Sequence, residues 1–204
     1  MKVLITGFDP FGGEPINPAY ESVKLLPDKI ADAEVIKLEI PTVFSKSAQI
    51  VEEKIIEHKP NLVISVGQAG GRVGITVERV AINLAEARIP DNEGVQLIDQ
   101  RIAEQGPAAY FATIPVREVV ENVRERGIPC DISYSAGAYL CNWIMYSVLH
   151  MAATKYPGLI AGFIHVPYAD EQVLDKPEGT ASMSLQNIAK ALEAVIETSL
   201  KNMQ

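Results

Sequence analysis

A thiol, an imidazole and a carboxylate can together cut an amide bond: the sulfur attacks the carbonyl, the imidazole holds and returns the proton, and the carboxylate orients the imidazole. The chain has two cysteines and three histidines. Cys141 stands in SYSAGAYLCNWIMYS, where a small-residue loop gives way to an apolar helical pattern. Backbone N–H groups and the positive end of a helix dipole stabilise an anion, so a thiol there is expected to ionise more readily than one in an apolar core. The alternative is a small buried hydrophobe, the common fate of free cysteine. His58 lies at the polar C-terminal end of the second helix, where a cation suits the dipole and the solvent. His150 lies more than two turns inside the helix that Cys141 begins and cannot reach back to the thiol. His165 ends the apolar strand GLIAGFIHVP and projects at its carboxyl edge, which makes it the credible base. Glu78 is the odd residue in ITVERVAIN, where strand alternation sets it on one face with Thr76, Val80 and Ile82. It either orients the far nitrogen of His165, or forms a salt bridge to a neighbouring arginine, or swings into solvent.

These residues need a frame that brings strand ends and helix starts to one edge. KVLITGF, AEVIKLEIP, NLVISVG and GLIAGFIHVP are short apolar runs that read as buried strands. Asn17 and Pro18 open a helix through about Leu26, and a second runs from Ser45 to just before Pro60. ITVERVAINLAEA alternates well enough to be one long strand, and RIPDNEGVQLID is an excursion rich in turn formers. AAYFATIP and CDISYS are further strands around the helix VREVVENVRERG, which closes on Gly127. Helices from about Ala138 to Tyr156 and from about Ser182 complete the chain. The pattern predicts an α/β three-layer sandwich: a mostly parallel or mixed central sheet covered by helices on both faces. In such a sheet ligands bind beyond the carboxyl ends of the strands, where the Cys141 helix begins and the His165 strand ends.

Its 204 residues, with 48% hydrophobic content, suit a single catalytic domain. Eighteen basic against 26 acidic residues give a net charge of −8, which opposes binding to nucleic acid or anionic lipid. Cys130 and Cys141 lie in different elements and do not resemble a disulfide framework, so a reduced setting fits better. The start, MKVLITGFDPFGG, lacks the apolar length of a secretory signal, and no stretch is long enough to span a bilayer. A cytoplasmic location is expected.

Three segments together resemble the pyroglutamyl peptidase I family, also called pyrrolidone carboxyl peptidase. GQAGGRVGITVERVAIN is similar to its glutamate signature, SYSAGAYLCNW to its cysteine signature and GFIHVPY to its histidine segment. VLITGFDPFGGEPINPA and ARIPDNEG are similar to its N-terminal loop and its characteristic excursion, so the match spans Val3 to Tyr168. The resemblance implies Cys141 as nucleophile, His165 as base and then acid, and Glu78 as the residue that orients it. It implies removal of an N-terminal 5-oxoproline from peptides through a thioester acyl-enzyme, with no metal or cofactor, by a homo-oligomer, a tetramer. The segment after Tyr168 adds little to the match.

Pyroglutamate is uncharged, so its site needs a flat apolar slot and a donor and acceptor for one amide. Phe8 and Phe11 are candidate walls, against ordinary core packing. Backbone around Gln68 to Gly71, including Gly70, is the candidate partner of the lactam, against a plain tight turn. The N–H of Cys141 is the natural first oxyanion donor, and Arg88 is the candidate second, against a surface salt bridge. A nucleotide-binding module is the different reading, because GFDPFGG sits between a strand and a helix. However, its glycine order matches neither phosphate-loop pattern, and Pro10 removes an N–H from the cradle. A non-catalytic protein that only holds pyroglutamyl ends is the other. Three scattered histidines do not make a zinc site.

Overall fold

Uninterrupted runs of Val, Ile and Leu form strands buried on both faces, and such strands need helices on either side. The computed structural model describes residues 1–203. In chain order its elements are β1 (Lys2–Phe8), α1 (Pro18–Lys24), β2 (Lys29–Ile30), β3 (Ala33–Ile40), α2 (Phe44–His58), β4 (Leu62–Gln68), β5 (Ile75–Glu78), β6 (Val80–Ile82), β7 (Ala109–Phe111), α3 (Val116–Glu125), β8 (Cys130–Ser133), α4 (Leu140–Thr154), β9 (Ile160–Val166), a 3-10 turn (Asp170–Val173) and α5 (Leu185–Lys201).

The main sheet has seven strands in the order β2-β3-β1-β4-β9-β5-β8. β3, β1, β4 and β9 are parallel neighbours. β5 runs antiparallel to β9, β8 follows β5 in parallel, and β2 is a short antiparallel edge. The sheet is therefore mixed. Helices α1, α3 and α5 pack together on one face, and α2 and α4 on the other. One apolar cluster runs through both layers, from Val3 to Leu200. This is the α/β sandwich the sequence predicts. Asn17 caps α1 as expected, its Oδ1 accepting from the Ala19 N–H at 3.0 Å.

The long strand expected over ITVERVAINLAEA does not form. It breaks at Arg79, whose N–H donates to Ser133 O at 2.7 Å while its carbonyl accepts from the Ala112 N–H at 3.0 Å. Beyond the break, β6 leaves the main sheet and pairs with β7 as a separate two-stranded ribbon. AAYFATIP likewise supplies only the three residues of β7 and no strand of the main sheet. Asn142 of α4 holds the ribbon, accepting from the Ile82 N–H and donating to the carbonyls of Ile82 and Leu84. Alternation continues across a change of partner, which is why the pattern hides the break. Glu78 consequently does not share a sheet face with Val80 and Ile82.

The excursion is pinned rather than loose. Asp91, 6% exposed, accepts from the N–H groups of Phe44, Glu93 and Val95. Asn92 donates to Pro10 O at 2.9 Å, and the Tyr139 hydroxyl donates to Pro90 O at 3.1 Å. This ties the excursion to the N-terminal loop, to α2 and to the approach to α4.

Candidate active site

The carboxyl ends of β4 and β9 lie side by side with Gly67 opposite His165, and β5 sets Thr76 opposite His165 from the other side. Helix α4 starts above them at Leu140, two residues later than the sequence suggests, so Cys141 lies in its first turn. The Cys141 sulfur rests over Gly67: a Cβ added there would come within 2.8 Å of Sγ and 2.8 Å of Phe163 Cζ. Only a glycine leaves this room, and glycine inside an apolar strand is itself a sign of close approach. Among the described residues Sγ makes no hydrogen bond to His165, whose one bond goes to Glu78. Catalytic hydrogen bonds are often long in unliganded enzymes and tighten once substrate is bound. Gly67→Ala is expected to fold, with an overpacking cost of about 1–3 kcal/mol. It should lose about a hundredfold in kcat/KM, because a sulfur displaced by about 1 Å costs that much. Rates measured beside a melting curve check this, and a folded variant of full activity would mean that Sγ works from another position.

Glu78 is fully buried, and its Oε1 accepts from His165 Nδ1 and from Arg72 Nη1, both at 2.7 Å. The two readings left open for Glu78, a histidine partner and an arginine salt bridge, are thus both realised on one oxygen. Among the described residues its Oε2 has no hydrogen-bond partner; the hydroxyl of Ser133, its register neighbour on β8, donates to Ser135 O. Burial alone would push the Glu78 carboxyl up, but His165 first and then Arg72 hold it below its ordinary value. A carboxylate only accepts, so Nδ1 of His165 carries the proton and Nε2 keeps its lone pair. Burial pushes His165 below its ordinary value, outweighing the pull of Glu78, and Arg72 adds to the lowering. The imidazole is therefore neutral at neutral pH.

The expectation of an easily ionised thiol is corrected by this environment. Desolvation, reinforced by the charge of Glu78, pushes Cys141 up to about 12, against the weaker opposing effects of Arg72 and its own N–H. Cys130 is also pushed up to about 12, by burial. The resting site is a neutral thiol beside a neutral imidazole, so the sulfur must lose its proton as it attacks.

The remaining candidates are scattered around this centre. Phe8 is 3% exposed and belongs to the apolar core, as in the packing alternative, whereas Phe11 is half-buried in the loop after β1. Gln68 Oε1 accepts from Gln172 Nε2 at 3.0 Å, and the same nitrogen donates to Glu14 and to Ile16 O. GQAGG does form a tight turn, closed by the Arg72 N–H on Ala69 O at 3.3 Å with Gly71 at φ 89°, the left-handed position of a type II turn. The ring of Tyr168 packs against Gly70. Arg88 is exposed and, among the described residues, its side chain makes no hydrogen bond or ion pair, so the surface salt bridge considered for it is absent.

Sequence reasoning missed Arg72, Gly67 and Gln172. Gly67 was legible as a glycine in a buried strand. Arg72 reaches Glu78 only because the turn folds back, and Gln172 belongs to the segment after Tyr168, which braces the turn and the N-terminal loop together. Lys176 extends that brace, lying 4.6 Å above the Tyr168 ring while pairing with Glu14.

A profile of the pyroglutamyl peptidase family matches residues 1–202. The chain is 58% identical over 202 residues to the pyrrolidone-carboxylate peptidase of Finegoldia magna, covering 99% of this chain and 94% of that protein. It is 55% identical over 204 residues to that of Enterococcus faecalis, covering 100% and 95%. Of solved structures, pyroglutamyl peptidase I from Bacillus amyloliquefaciens matches with a TM-score of 0.96 at 46% identity, over 100% of this chain and 98% of that one. A mutant pyrrolidone carboxyl peptidase from the hyperthermophile Pyrococcus furiosus matches with a TM-score of 0.97 at 46% identity, over 100% of both chains.

Proposed function

Because the chain belongs to the pyroglutamyl peptidase family, we propose that Cys141, His165 and Glu78 are the nucleophile, proton carrier and orienting carboxylate with which it removes an N-terminal 5-oxoproline from peptides. It is a cysteine peptidase, and the nucleotide-binding and non-catalytic alternatives are not favoured. The observation that carries the role assignment is the 2.7 Å bond from His165 Nδ1 to the fully buried Glu78, which leaves Nε2 as the acceptor.

Nε2 takes the proton from Sγ as the sulfur bonds to the pyroglutamyl carbonyl carbon, and Glu78 stabilises the imidazolium that forms. The carbonyl oxygen, now negative, meets the N–H of Cys141, with Arg88, exposed and uncommitted, as the second donor. Collapse breaks the C–N bond while His165 gives its proton to the leaving amine, and a thioester remains. Water, deprotonated by His165, then attacks the thioester carbon, and pyroglutamate leaves as the thiol regains its proton. Phe11 supplies an apolar wall with Phe8 behind it, and backbone from Gln68 through Gly70 to Gly71 meets the lactam. The whole chain is taken as one catalytic domain. Two unpaired cysteines support a reducing, cytoplasmic setting, and family resemblance supports a homotetramer.

Release of a chromogenic amine from a pyroglutamyl amide tests the assignment. We expect turnover that survives a chelator and stops when iodoacetamide has modified Cys141. Cys141 should be labelled before Cys130 because Cys130 is buried and Cys141 is half-exposed, burial pushing both thiols up. No turnover, or turnover that outlasts complete alkylation of Cys141, would remove the reading.

A further inference from the structure

We propose that Arg72 is a positioning residue of this site: its guanidinium shares Glu78 Oε1 with His165 and also reaches the loop that leads to Cys141, so one side chain sets the charge the imidazole feels and ties the two halves of the site together. The turn after β4 folds Arg72 back along β5, where Nη1 donates to Glu78 Oε1 at 2.7 Å and to Thr76 Oγ1. Nη2 donates to Ser135 O at 3.3 Å, in the SYSAG loop that runs into α4. The geometry is more than a charge pair. A planar fork carries its donors on separate nitrogens in fixed directions, whereas an ammonium is one compact point charge. Oε1 takes both donors and, among the described residues, Oε2 takes none, so the imidazole and the guanidinium meet the same carboxylate oxygen.

The charged and titratable groups facing His165 are Glu78 from β5, Arg72 from the preceding turn and Cys141 from α4. β4 offers only Gly67, β9 adds Phe163, and Ser133 of β8 faces Glu78. Without Arg72, the full charge of Glu78 acts on His165 and raises its proton affinity. A protonated His165 cannot accept from Sγ, so activity is then lost from the acid side first. Arg72 is also open to solvent, with a side chain 28% exposed at a cavity of about 610 Å³ lined in part by Thr76, Asp131 and Ser133.

The test is the pH profile of kcat/KM on a pyroglutamyl amide for the wild type, Arg72→Gln and Arg72→Lys. Arg72→Gln keeps a donor and removes the charge, so its acid limb should move up by about one pH unit, with a loss that is small at pH 8 and grows toward about tenfold at pH values well below the wild-type limb. Arg72→Lys keeps the charge and should keep the wild-type limb, with a severalfold loss at every pH because Ser135 O is released. Equal loss at every pH in both variants, or wild-type profiles in both, overturns the proposal. Should Arg72→Gln not fold, Arg72→Lys decides alone: the wild-type limb with a severalfold loss supports the proposal, and no loss or a displaced limb overturns it. The inference rests on the roles proposed for Glu78 and His165. Activity retained in Cys141→Ala would remove that reading, whereas an inactive Cys141→Ala with unmoved Arg72 profiles would remove this inference alone.

Discussion

Cys141→Ala should fold like the wild type and lose at least about four orders of magnitude in kcat, with only the weak help of binding and oxyanion contacts left. The reason is local. The first turn of α4 holds Sγ over Gly67, at the adjoining carboxyl ends of β4 and β9. Deleting the sulfur removes one small, half-buried atom, so stability should hardly suffer while chemistry stops. Cys130→Ala, made in the apolar core beside β5, should keep the wild-type rate per folded molecule. Rates per folded molecule, with the fold checked by circular dichroism, distinguish the two. Comparable losses in both would dissociate the chemistry from Cys141.

Glu78→Gln is the second large effect. The amide matches the carboxylate in shape, and its oxygen can still face Arg72 and His165. What it lacks is the charge that stabilises the imidazolium formed when sulfur gives up its proton. We expect kcat to fall by about 10²–10⁴-fold with KM little changed. The sign of the pH effect separates this variant from those at Arg72. Glu78 raises the proton affinity of His165, so its removal moves the acid limb to lower pH, opposite to the shift expected for Arg72→Gln. A folded Glu78→Gln of unchanged kcat would make the carboxylate structural only.

The parts of the site legible in the sequence were those fixed by where elements end. Cys141 and His165 declare themselves because one follows a loop into a helix and the other closes an apolar strand. Glu78 was visible as a carboxylate among β-branched residues, though its partners were not, and the outcome that both compete for one oxygen depends on a turn that brings Arg72 alongside β5. The sheet was legible from four apolar runs. The strand misread through Arg79 keeps its alternation while exchanging neighbours, and no local pattern records that exchange. The thiol was misjudged for a related reason: dipole and position can be read from sequence, but desolvation and the approach of Glu78 come only from packing.

The first turn of α4 has a further consequence. Tyr139 occupies the cap position without a side-chain hydrogen bond, and the N–H groups of Cys141 and Asn142 have no partner among the described residues. A serine or aspartate at that position would ordinarily stabilise a helix by about 1 kcal/mol. Here the same change would cover the donors and sever the Tyr139 tie to Pro90. Robustness and turnover are therefore opposed at position 139, and selection for heat resistance alone would tend to erode the catalyst there.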